Sequence, residues 1–242
     1  MTGGSNQFIA WAMSAWAKVS EATDLEEIRH CAVLLAEQLD FEYFAYGFCS
    51  SVPFMRPKVE MYTNYPLEWV KRYQAQNYAL SDPTVLHSKK YTEAVVWSKE
   101  IFHESMELWN EAQEFNLKIG VAQPSFNNAG GVGLLTLARS CGNIKVAEFE
   151  KNKPYIKMFS ELAGARIQEL ELLSIPIPSI KLSLREKEVL RWTADGKTSE
   201  EIGLILNITM DSVNFHQKRI QSKMGASNRI QAVSYAVAQG LI

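Results

Sequence analysis

Apolar residues change period several times along this chain, and each change marks an element. From Phe8 to about Leu39 they recur at helical spacing, with Phe8, Trp11 and Met13 first and Leu25, Ile28, Cys31, Leu34, Leu35 and Leu39 after them. That repeat predicts two helices. Thr23 or Asp24 begins the second, with Glu26 and Glu27 in its first turn, where the helix dipole favours negative charge. The period then shortens. Phe41 to Phe48 and Val59 to Thr63 read as strands on either side of an SVPFMRPK turn. Asn64-Tyr-Pro opens a helix through Trp69 and Tyr73, and a loop carrying Asp82-Pro83 follows. Ala94 to Trp97 is short and apolar, and Phe102 to Phe115 is helical. Ile119 to Phe126 and Gly133 to Ala138 read as two strands joined by an Asn127 to Gly131 turn. Phe149 to Leu173 is a long helical stretch. Helices flanking a central antiparallel sheet make an α+β fold, an α-β-α sandwich.

SIPIPSI breaks this pattern, because Pro176 and Pro178 forbid continued helix. Residues 174–180 are therefore the expected linker between a first domain, 1–173, and a second, 181–242. Leu182 to Ile242 reads as four short helices. Ser183 with Glu186, and Thr198 with Glu201, have capping-box spacing, in which each partner satisfies an orphan backbone donor of the other. Asp195-Gly196 ends the first of these helices, Asn207 the second and Gly225 the third, which Thr209 caps. Two helices joined by a few turn residues make a helix-turn-helix, whose second helix is shaped for the major groove.

The third helix carries Val213, Ile220 and Met224 on one side and Asn214, Lys218 and Gln221 on the other. A plain helical bundle would merely solvate that second side; amide and basic groups free of acidic neighbours suit DNA. REKEVLRWTADGKTSEEIGLIL followed by SVNFHQKRIQSKMGASNRIQAV resembles the LuxR-type DNA-binding domain, with Glu186, Leu190 and Gly196 on its characteristic positions. Asn214, Gln217, Lys218 and Gln221 are the base-facing candidates, and Arg219, Lys223, Lys197 and Thr198 lie nearer phosphates. Helical geometry leaves Gln217 open, since it can also turn inward beside Val213 and Ile220. Many family members carry Lys where this chain has Asn214; Asn pairs best with adenine and brings no charge.

Charge sharpens the division. The chain's net charge is -2, yet Ile175 to Ile242 holds nine Lys or Arg against six acids, net +3, leaving 16 against 21 before it. A modestly basic module behind an acidic one fits DNA binding by the second half alone. Cys31, Cys49 and Cys141 are widely spaced without a CxxC pair, which argues against a disulfide framework or thiolate zinc site and for a reducing cytoplasm. The N-terminal stretch lacks signal-peptide character and no apolar run reaches membrane-span length, so a soluble, cytoplasmic protein is expected.

The first domain lacks a GxSxG elbow, an HExxH pair and a Gly-rich phosphate loop, and His30, His87, His103 and His216 have no metal spacing. No catalytic residue, metal or cofactor is assigned, and an enzyme is not the expected function. The domain is dense instead in aromatics with few charges among them: Tyr65, Trp69, Tyr73, Tyr78, Trp97, Phe102 and Trp109. Such side chains bury apolar area while each offers one donor, the make-up of a small-molecule pocket. Tyr65, Trp69 and Tyr73 stand at i, i+4 and i+8 of one helix face, with Asp82 just beyond.

NYPLEWVKRYQAQNYALSDPTV, Trp97 and GVAQPSFNNAGGVGLLTLAR are together similar to the acyl-homoserine-lactone binding domain of the LuxR family. That resemblance implies that the Trp69 indole N–H meets the lactone carbonyl and Asp82 accepts the ligand amide N–H. It has Tyr65 and Thr136 address the amide carbonyl, while Tyr73 and Trp97 wall the site. The first half looks nearest to the members that regulate rhamnolipid or phenazine production, which implies a short acyl chain of four to six carbons. A quorum-sensing transcription factor is thus expected, a homodimer on a palindromic promoter site with RNA polymerase as its protein partner. Three readings rival it: a regulator answering to another signal or to none, a phosphorylated response regulator, and a lactone-cleaving enzyme. The response regulator needs a βα receiver with an acidic cluster, and the first half offers neither.

Overall fold

The computed structural model describes residues 2–49, 59–126, 132–174 and 180–242. The expected turns at 51–58 and 127–131 lie outside these residues, as does the linker apart from Ser174 and Ile180. The chain divides into two compact units, one ending at Ser174 and the other following it.

In the first unit, α1 (Thr2–Glu21) and α2 (Leu25–Glu37) precede β1 (Tyr43–Cys49) and β2 (Val59–Thr63). Then come α3 (Leu67–Ala75), α4 (Pro83–Ser88), β3 (Val95–Val96), α5 (Met106–Glu114), β4 (Ile119–Phe126), β5 (Val132–Arg139) and α6 (Val146–Ser174). The start of α2 is set locally: the Asp24 side chain accepts from Glu27 N at 2.9 Å, and Glu27 Oε2 accepts from Thr23 N at 2.7 Å. The strands form one antiparallel sheet in the order β2-β1-β5-β4-β3.

Alternation along the strands sorts the side chains into two layers. Phe44 and Tyr46 on β1, Val121 on β4, and Leu135 and Leu137 on β5 pack against α1, α2 and α6, with Ile28, Leu35, Phe159 and Ile167 in that core. Tyr43, Ala45 and Gly47, Leu134, Thr136 and Ala138, and Gly120 and Ala122 alternate with them on the other face. Trp69, Tyr73, Tyr78, Phe102, Leu108 and Leu117 make a second core with Ala138. The α-β-α sandwich follows. Large residues fill one face of the sheet, while the small ones of the other leave a gap under α3, α4 and α5.

Several boundaries differ from the sequence expectation. Asp82 keeps extended backbone outside a helix, as expected, but Pro83 is not in the loop: it opens a short helix, α4, that Asp82 caps, at a position where a missing N–H costs nothing. The helix expected from Phe102 begins at Met106, because Ser105 leaves helical backbone and its hydroxyl donates to Ser81 O at 2.7 Å. The long helix starts at Val146, three residues early.

In the second unit α7 (Leu184–Ala194), α8 (Ser199–Leu206), α9 (Met210–Met224) and α10 (Arg229–Ala238) follow one another. Both capping boxes form. Asn207 takes the left-handed turn at φ 53 and Gly225 at φ 61, as expected. Val189, Leu190, Ile202, Val213, Ile220, Met224, Ala232 and Ala236 form the core. The turn between α8 and α9 is so close that a Cβ on Gly203 would lie 2.8 Å from Ile208 O.

Candidate functional site

The gap on the second face of the sheet is a cavity of about 80 Å³. Ala45, Gly47, Leu134 and Thr136 floor it, and α3, α4 and α5 roof it through Trp69, Tyr73, Asp82, Val85 and Leu108. Trp97 closes one edge. Its backbone N–H donates to Gly120 O at 2.8 Å, and its indole lies flat enough on Gly120 that a Cβ there would sit 2.7 Å from the ring.

All six residues expected in the pocket line this one cavity: Tyr65, Trp69, Tyr73, Asp82, Trp97 and Thr136. Only Trp69 and Tyr73 share a helix, however, because α3 begins at Leu67. Tyr65 precedes α3 and is positioned by its backbone N–H, which donates to Thr63 Oγ1 at 2.9 Å. Trp69 is 3% exposed and packs its ring against Tyr73, Tyr78 and Phe115, at 6.0, 6.3 and 5.4 Å between centroids. Arg72 holds α3 to α5 from outside, its Nε donating to Glu111 Oε2 at 2.9 Å.

Three polar groups give the cavity its chemistry. Asp82 Oδ1 accepts from the N–H and the hydroxyl of Thr84, at 2.8 and 2.7 Å, and Oδ2 accepts from the Tyr73 hydroxyl at 2.9 Å. Burial pushes this carboxyl above its ordinary pKa, against the opposing pull of the Thr84 and Tyr73 hydrogen bonds. Oδ2 keeps lone-pair capacity for another donor. The Tyr65 hydroxyl and the Trp97 indole N–H are buried without a hydrogen-bond partner among the described residues. An orphaned buried donor costs about 1–3 kcal/mol, so both favour a polar ligand. Burial also raises the Tyr65 phenol far above its ordinary range, which keeps it a donor.

In the second unit, α9 is buried along Val213, Gln217, Ile220 and Met224. Asp211, Phe215, Lys218 and Ser222 form its exposed row, with Arg219 exposed and Asn214 and Gln221 half-buried at the flanks. Gln217 turns inward: it is 9% exposed and its Nε2 donates to Thr193 Oγ1 at 3.3 Å, which takes it off the outer face. Lys223, expected nearer phosphates, is exposed and carries an internal contact as well. Its ammonium donates to Glu186 Oε2 at 2.6 Å and to Lys181 O at 2.9 Å, because Glu186 is only 1% exposed and needs a cation. Thr198 Oγ1 accepts from Glu201 N at 3.2 Å, the Thr198 hydroxyl also meets the Glu201 carboxylate, and Lys197 lies 3.6 Å from Glu201.

Two residues carry more than the sequence reading assigned. Glu186, read as a cap, also anchors α9 to α7. Phe215, not assigned, stands outward among cations, a position visible on the helical wheel opposite Val213 and Ile220. Among the described residues no group of three His, Cys, Asp or Glu could hold a metal ion, and no helix is long and apolar enough to cross a membrane.

A small-molecule pocket in one unit and a helix-turn-helix in the other define a ligand-responsive transcriptional regulator. The model of the autoinducer binding domain matches residues 24–167, and that of bacterial regulatory proteins of the luxR family matches 181–236. The chain is 49% identical over 237 residues to the transcriptional activator protein PhzR of Pseudomonas fluorescens, covering 98% of this chain and 97% of that protein. It is 42% identical over 205 residues to the quorum-sensing regulator RhlR of Pseudomonas aeruginosa, 85% of each chain. The crystal structure of Escherichia coli SdiA superposes with a TM-score of 0.86 at 34% identity, covering 97% of this chain and 99% of that one. The chain belongs to the LuxR family of quorum-sensing transcriptional regulators.

Proposed function

We propose that the ligand is an N-acyl-homoserine lactone with a short tail, and that the loaded protein binds palindromic promoter DNA as a homodimer. The observation that carries the first part is the unpartnered Tyr65 hydroxyl beside the buried Asp82 carboxyl in one apolar cavity. Asp82 Oδ2 accepts the ligand amide N–H next to Tyr73. Tyr65 and Thr136 donate to the amide carbonyl, and the Trp69 indole N–H donates to the lactone carbonyl. Tyr73 and Trp97 wall the site. The name of PhzR, a transcriptional activator, supports activation of transcription, for which RNA polymerase in the cytoplasm is the protein partner and the lactone is bound without turnover.

Ligand that binds only the folded state stabilises it by mass action, about 2.7 kcal/mol at a hundredfold excess over Kd. A thermal melt across butanoyl-, hexanoyl- and dodecanoyl-homoserine lactone should therefore show the largest rise with one of the first two. No rise with any of them removes the lactone assignment. Recovery of intact lactone after incubation separates a receptor from a lactone-cleaving enzyme.

For DNA, α9 enters the major groove with Asn214, Lys218 and Gln221 toward base edges. Arg219, Lys197, Thr198 and the exposed Lys223 face the backbone, while Gln217 takes the internal contact described above. Lys218→Ala should weaken binding to all duplexes and lower the salt slope by about one, whereas Asn214→Ala should chiefly relax sequence preference. Titrations of specific and scrambled duplexes at several salt concentrations test this; an unchanged slope for Lys218→Ala would place that side chain away from DNA.

A further inference from the structure

The ring of Phe215 is 56% exposed on the outward row of α9, between Lys218 and Arg219. The Arg219 guanidinium lies over it, 5.7 Å from the ring centroid, and the His216 ring meets it edge-on at 5.9 Å. Arg219 is held from its other side by Glu186, 3.6 Å from Nε. The ring and the guanidinium thus form a fixed pair facing outward. A phenyl ring offers no hydrogen bond to a phosphate or to a base heteroatom. In the major groove one feature is apolar, the C5-methyl group of thymine. The flanking cations point to a polyanion, and an apolar side chain set among them gains only where that polyanion has an apolar edge.

We propose that Phe215 is a specificity-determining residue that packs on one thymine methyl in each half-site, while its ring holds the Arg219 guanidinium toward the neighbouring phosphate or base. This rests on the reading that α9 enters the major groove.

Full-length protein loaded with butanoyl- or hexanoyl-homoserine lactone first selects duplexes from a randomised library. Each thymine of the enriched half-site is then replaced singly by deoxyuridine, which deletes only the methyl group. One position per half-site is expected to lose affinity by on the order of fourfold, the effect of one buried carbon. That loss should vanish in Phe215→Ala, persist in Asn214→Ala and survive in part in Phe215→Leu, which keeps an apolar contact. An enriched site without thymine, no sensitive thymine, or the same loss in Phe215→Ala overturns the proposal. Protection of guanine N7 from dimethyl sulfate tests the groove separately. Protection without a methyl effect overturns only the role of Phe215; no protection overturns the major-groove reading with it.

Discussion

Asp82→Asn protein is expected to melt at or above the wild-type temperature without ligand and to lose most of its response to the lactone. The two effects have opposite signs because the carboxylate has two roles. In the free protein it is a charge held in an apolar cavity, and burial raises its pKa against the pull of Thr84 and Tyr73. The folded-state pKa therefore lies above the unfolded value of about 3.9, so this group's stabilising contribution is complete below that value and is lost as pH rises through the raised one. Asparagine removes the charge while keeping an acceptor for Thr84 or Tyr73. In the proposed complex the same carboxylate is to accept a charge-assisted hydrogen bond from the ligand amide, worth about 1.5–3 kcal/mol, or roughly 10- to 150-fold in affinity. The bound amide favours the ionised form, so wild-type affinity should rise with pH between the bound and free pKa values, and Asp82→Asn should abolish that rise. Calorimetric titration against pH reads both; lactone affinity within twofold of wild type would remove Asp82 from the ligand contacts.

Glu186→Ala should do the largest damage in the second unit. Glu186 accepts from Ser183 N at 2.7 Å and from Lys223 Nζ at 2.6 Å, and it is 1% exposed. Removing it breaks a capping box, a loss of about 0.5–2 kcal/mol, empties a buried position and leaves the exposed Lys223 ammonium without its carboxylate. Whole domains are stable by only about 5–15 kcal/mol. Burial raises the Glu186 pKa, but Lys223 and the Ser183 N–H outweigh it, and the net direction is down. Its contribution is therefore present above the unfolded value of about 4.3 and is lost as pH falls through the lower folded one. Hydrogen exchange of the full chain at neutral pH should show α7 and α9 deprotected in Glu186→Ala and partly rescued in Glu186→Gln, which keeps an acceptor for Ser183. At acid pH the difference between Glu186→Gln and wild type should shrink. Unchanged protection in both variants would make the Glu186–Lys223 pair incidental.

The parts of the fold that could be read from the chain are those whose cause lies within a few residues. Ser183 with Glu186, Thr198 with Glu201, and the left-handed positions at Asn207 and Gly225 are settled by spacing and backbone chemistry. Strand alternation likewise separates Phe44 and Tyr46 from Ala45 and Gly47. Where a local pattern misled, a distant contact had overruled it. Phe102 stands outside a helix because Ser105 is tied to Ser81, and Tyr65 stands before α3 because Thr63, whose hydroxyl donates to Phe44 O on β1 at 2.5 Å, holds its N–H. Tyr65 reaches the same cavity all the same, since β2 delivers it there.

The chain by itself thus determined the elements, their caps, the two-part division and the residue types of pocket and recognition helix. Only the tertiary structure decided which of those side chains were free to act. Lys223 and Glu186 are 37 residues apart, and no periodicity records that their charges meet. Sheet order places β5 between β1 and β4, so that Thr136, Ala45 and Ala122 fall on one row and leave the cavity open. Local spacing sets backbone conformation through neighbouring hydrogen bonds. Whether a polar group faces ligand, DNA or its own core depends on partners that are close only in space.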